Sequence, residues 1–131
     1  MKVKTSELTN HALAYAVSTV ENKDWDTEGH IANISYPDDG TGWVYRPDID
    51  WSQGGPIIRQ NFINLLHCQN GSAKYEVLAQ MRECADITSR VIAQAWGRAD
   101  DGPERDLVAA MRCYVASRLG DEVEIPEELM A

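Results

Sequence analysis

Apolar residues recur along this chain with two different periods, and each change of period marks a boundary. Ala12, Leu13, Ala16, Val17 and Val20 follow helical spacing and make one stripe. Ser6, Thr9 or Asn10 can cap that helix, because a short polar side chain accepts the orphan amide hydrogens of a first turn. The stripe runs out near Glu21 to Lys23, where the helix is predicted to end. Ahead of it, Met1 to Thr5 alternate as a short edge strand would. Ile31 to Tyr36 alternate again, the stretch Pro37 to Gly42 is turn chemistry, and Trp43 to Tyr45 resume an extended run. A hairpin over 31–46 is the simplest account.

Pro56 is expected at the first position of a short helix ending at Asn61, since a proline there forfeits no hydrogen bond. Phe62 to Cys68 has strand composition, and the Asn70-Gly71 pair that follows is a hairpin signal. Tyr75, Val77, Ala79 and Met81 alternate as a return strand would. Val77, Met81 and Ala85 also fit a helix, and of the two we favour the strand. Val91 to Trp96 predict a further strand. The clearest element is a C-terminal helix opened by Gly102-Pro103 and closed by Gly120. Leu107, Val108, Met111, Tyr114, Val115 and Leu119 form its core stripe, with acids at its start and Arg118 in its last turn. Val123 and Ile125 can add a brief strand. The predicted fold is α+β, a mostly antiparallel sheet with an N-terminal and a longer C-terminal helix packed on it. At 131 residues the whole chain, 1–131, is expected to be a single domain.

Composition narrows the function classes. With 44% hydrophobic and 25% charged residues the chain reads as a soluble globular protein. No apolar run is long enough for a bilayer, and the lysines near the start have no hydrophobic stretch behind them, so a cytosolic protein is expected. The net charge is -9, about equally divided between the first sixty residues and the rest. Without clustered Lys and Arg, direct nucleic-acid binding is not expected. An acidic surface suits solubility first, then a basic protein partner or mimicry of a polyanion. Cys68, Cys84 and Cys113 form no CxxC pair, and His67-Cys68 is a poor chelate because strand neighbours point to opposite faces. Buried free thiols, and no metal or other cofactor, are the expectation.

The most suggestive local chemistry is Trp51-Ser52-Gln53-Gly54-Gly55-Pro56. Two glycines before a helix start let a ligand approach the backbone, and the amides of Ile57, Ile58 and Arg59 would then point outward for a phosphate or carboxylate. Trp51 can stack on a flat group, Ser52 and Gln53 can bond its edge, and Arg59 or Arg112 can supply positive charge. A tight turn with Trp51 as a core anchor is the plainer reading and weighs more heavily, since the GK[ST] ending of a P-loop is missing. Arg112 sits off the apolar stripe, beside Ala109 and Ala116. That small-residue face suits a ligand, a second subunit or a strand of the same sheet, and a salt bridge to one of the acids is as good an account as these together. Asp48 and Asp50 can act as an acid/base or metal pair, but turn capping is the commoner use of such residues. Trp25, Trp43, Trp51 and Trp96 are many for this length. Core anchoring is the first expectation, and any on the surface favours an interface. No residue set has the spacing of a known catalytic mechanism, so catalytic residues are expected to be absent.

Three stretches carry a family likeness: residues 1–9 (MKVKTSELT), Asp50 to Ile58 (DWSQGGPII), and Leu107 to Ser117 (LVAAMRCYVAS) followed by Leu119 to Val123 (LGDEV). Together they resemble the bacteriophage NinX-like family. The resemblance implies a small phage-encoded accessory protein acting in the host cytoplasm, and it carries over no catalytic residue. Two functions follow. One is a non-enzymatic binder of a small anionic, nucleotide-like ligand at the Gly-Gly-Pro segment, sequestering a host signal. The other is an acidic interaction module that docks on a host or phage protein. A homodimer is compatible with either.

Overall fold

The computed structural model describes residues 1–21, 46–69, 75–84 and 88–129. The predicted hairpin over 31–46, the Asn70-Gly71 turn, Ala85, Trp25 and Trp43 lie outside those residues, apart from Arg46.

Strand β1, Lys2–Lys4, leads through a 3-10 turn at Thr5–Glu7 into helix α1, Asn10–Val20. Ala12, Leu13, Ala16 and Val17 are buried as their spacing predicts, with Ala14 and Ser18 beside them. Ser18 tolerates burial because its hydroxyl donates to the Tyr15 carbonyl at 2.6 Å. Thr9 is the cap by position, but its side chain makes no capping bond. Helix α2 spans Trp51–Gln60. Strands β2, Asn64–Gln69, β3, Tyr75–Arg82, and β4, Val91–Gly97, form one antiparallel sheet in the order β2-β3-β4. The alternation at 75–81 is therefore that of a strand. Helix α3, Arg105–Leu119, ends at Gly120, whose φ of 87° is the left-handed geometry glycine supplies at a helix terminus. Strand β5, Glu122–Glu124, returns to pair antiparallel with β1, Val3 opposite Val123, and both valines are buried.

The register explains the core. His67, Val77 and Gly97 lie side by side across the sheet, as do Leu65, Ala79 and Ala95. Val77, Ala79, Ala95 and Gly97 are buried, and this small-residue face carries α3. A Cβ on Gly97 would run into the Arg105 carbonyl and approach Ala109 Cβ to 3.0 Å, so the bare backbone lets α3 come close. The small face of α3 thus meets a strand of the same sheet. Helix α1 packs against α3. On the other face, Leu66, Leu78 and Trp96 form a row in which Leu66 and Trp96 are exposed. The expected α+β architecture, with a mostly antiparallel sheet and the C-terminal helix packed on it, is the one observed.

Candidate functional site

The segment Asp50 to Arg59 begins its helix five residues earlier than its proline suggests. Asp50 is the cap: its Oδ1 accepts the Ser52 amide at 2.9 Å and the Ser52 hydroxyl at 2.7 Å, and its Oδ2 accepts Gln53 Nε2 at 3.0 Å. The Asp50 carbonyl takes the Gln53 and Gly54 amides at 3.0 and 2.9 Å. A side-chain cap that satisfies first-turn donors outweighs the preference of proline for the first position, so the helix starts at Trp51 and runs through Pro56. The hydroxyl of Ser52 holds the Asp50 carboxyl below its ordinary value against the opposing effect of burial, helped by the Ser52 amide and Gln53. The expectation of a helix start at Pro56 is corrected accordingly. Ile57, Ile58 and Arg59 lie past the first turn, where amides serve the carbonyls of the preceding turn rather than a ligand.

The other predicted residues divide by environment. Gly54 is buried, and a Cβ there would drive into the Pro47 carbonyl and lie 2.7 Å from Leu107 Cδ2. Its bareness serves the packing of α2 on α3. Gly55 would meet only Trp51 Cε3, at 3.8 Å. Trp51 is no core anchor: it is 47% exposed, and its Nε1 donates to Glu104 Oε2 at 2.9 Å. Asp48 is buried in a paired contact with Arg46, both bonds 2.9 Å, so Asp48 and Asp50 serve turn and cap.

Arg112 is 3% exposed and fully engaged. Its guanidinium donates to the Leu8 carbonyl at 2.9 Å, the Trp96 carbonyl at 2.8 Å, and both oxygens of Asp101 at 2.9 and 3.0 Å. Burial alone would raise the Asp101 pKa, but the hydrogen bonds from Arg112 and from the Arg98 amide, with the charges of both arginines, bring it below the ordinary value. The salt bridge is thus the role the structure gives Arg112. The residue joins α3, β4 and the segment before α1, and none of these partners belongs to α2.

At the far end of α2 the geometry is of another kind. Asn61 closes the helix, its amide and its side chain both donating to the Ile57 carbonyl at 3.1 and 2.8 Å. The Ile63 amide then reaches back to the Ile58 carbonyl at 3.1 Å. This is a Schellman closure, and the residue between them must be left-handed. Here that residue is Phe62, with φ of 53° where glycine is usual. Ile63 tucks into the core while Phe62 is 83% exposed. Phe62 therefore precedes the strand that composition assigned to it, and β2 starts at Asn64. Phe62 borders a hollow of about 580 Å³, which lies between α2 and the ends of β2 and β3. Ile58, Arg59, Asn61, Asn64, Arg82 and Cys84 are among its lining residues. The sequence offered one signal for Phe62: it is the single phenylalanine, set just after a helix-closing asparagine.

Of the thiols, Cys113 is buried as expected, and burial pushes its pKa up to about 12. Cys84 is exposed, against expectation, because β3 ends at Arg82 and the chain leaves the core there. No group of three His, Cys, Asp or Glu among the described residues could hold a metal ion.

Residues 4–118 match the family model described as "Bacteriophage P22, NinX". No curated protein matches the chain.

Proposed function

The chain belongs to the bacteriophage P22 NinX family, and from that premise we propose that it is a non-enzymatic phage accessory protein that docks on a host or phage protein in the host cytoplasm. The observation that carries this reading is Phe62, a large aromatic side chain held in a left-handed backbone and 83% exposed. Such a conformation costs about 1–2 kcal/mol for an L-residue, and the ring recovers little of it by burial in the free protein. Aromatic anchors at the centre of an interface recover such a cost on binding. Trp51 and Ile49, at the other end of α2, are exposed as well. No helix among the described residues is long and apolar enough to cross a membrane.

The anionic-ligand reading finds no support in the geometry. The Ile57, Ile58 and Arg59 amides it needed lie inside α2, past the first turn that Asp50 caps, and the arginine it borrowed, Arg112, is held by Asp101.

The test compares the protein with its Phe62→Ser variant as bait in lysate from phage-infected cells, with captured proteins identified by mass spectrometry. One partner retained by the parent and lost by the variant, with both folded by circular dichroism, is the expected result. Identical capture by the two would overturn the proposal.

A further inference from the structure

The hollow beside Phe62 is basic, on a protein whose net charge is -9. Arg59 and Arg82 line it. Arg118 stands at its rim, donating to Asn61 Oδ1 at 3.2 Å. Arg82 is oriented by the Ser89 carbonyl at 2.7 Å and Gln80 Oε1 at 3.2 Å, both neutral acceptors. Among the described residues none of these three arginines meets a carboxylate at salt-bridge distance, and Glu83, which also lines the hollow, is taken by Arg90 at 3.0 Å. A quarter of the chain's twelve basic residues is thus gathered, uncompensated, around one exposed aromatic ring.

Resting on the docking proposal above, we infer that this hollow receives an acidic peptide segment of the partner, which sets one apolar side chain against Phe62 and Ile58 and its carboxylates on Arg59 and Arg82. Arginine suits this role because its planar donor fork matches a carboxylate. A short acidic segment touches only the basic hollow. A nucleic-acid strand would extend beyond it across a surface whose summed charge is negative, and would be repelled there.

The full-length chain is titrated into three short fluorescein-labelled peptides with a central leucine, flanked by glutamates, glutamines or lysines, and into labelled oligodeoxythymidine. Fluorescence anisotropy reads the affinity. The glutamate peptide should bind about tenfold more tightly than the glutamine peptide, and should weaken severalfold between about 50 and 300 mM salt. Arg59→Gln, an exposed change, should remove most of that preference while leaving the glutamine peptide unaffected. Phe62→Ser should abolish binding of both. Equal affinity for glutamate and glutamine peptides, with both lost in Phe62→Ser, overturns the charge inference and leaves docking at Phe62 standing. No binding of the glutamate peptide also overturns it, whatever the lysate capture shows, and tighter binding of the oligonucleotide overturns it in favour of a nucleic-acid surface. Binding indifferent to Phe62→Ser removes both the inference and the reading beneath it.

Discussion

Replacing Phe62 with glycine should make the protein more stable and less able to dock. The left-handed backbone at this residue, φ 53°, costs a side-chain-bearing residue about 1–2 kcal/mol, which glycine does not incur. Glycine also frees the unfolded chain and thereby costs about 0.5–1 kcal/mol. The ring is 83% exposed, so its removal exposes little apolar area. The balance is a gain of about 0.5–1 kcal/mol. For a chain of this size that corresponds to a rise of about 2–4 °C in Tm. Urea denaturation of parent, Phe62→Gly and Phe62→Ala, at a shared slope, measures the difference. The alanine variant keeps the left-handed cost and should show no such gain. Loss of a central aromatic anchor should weaken partner binding by about 2 kcal/mol or more, roughly thirtyfold. A glycine variant destabilised by more than about 1 kcal/mol would refute the reasoning, since the ring would then be packing within the free protein.

Other consequences test the frame around that surface. Arg112→Met should cost about 3–5 kcal/mol in urea denaturation, because it takes the guanidinium away from the mostly buried carboxylate of Asp101. Since the Asp101 pKa is lowered on folding, its contribution is complete above the ordinary value of 3.8 and is lost as the pH falls through the lowered one. The stability gap between parent and Arg112→Met should therefore narrow in acid, and a gap constant down to pH of about 2 would contradict the pairing. Adjacent glycines of α2 should respond with opposite signs in thermal melts. Gly54→Ala collides with the Pro47 carbonyl and should destabilise by about 1–3 kcal/mol, whereas Gly55→Ala has room and should stabilise by about 0.5–1 kcal/mol. In a maleimide assay on native protein, Cys84 should react readily while Cys113, buried and with its pKa near 12, should react only on unfolding.

Much of the fold was legible in local pattern. Helices α1 and α3 announce themselves by stripes at helical spacing, and β3 by alternation, because one apolar face against a core imposes a period on any regular element. The turn at Gly120 was equally local. At the start of α2 two local signals compete: Pro56 points to one boundary, and Asp50, with Ser52 and Gln53 to hold, sets another. Helix capping turns on which side chain reaches which amide, and residue type alone does not report that.

The role of Arg112 and the exposure of Phe62 belong to the tertiary structure. Periodicity places Arg112 off the stripe of α3, but its acceptors at Leu8, Trp96 and Asp101 come from three separate segments, the first 104 residues away. Phe62 has the composition of a strand and lies two residues before one. Only the closure of α2, with Ile63 drawn into the core, turns its ring outward. Periodicity records which face of an element is apolar. Which elements those faces meet, and what is left outside when they do, is decided by contacts between residues far apart in the chain.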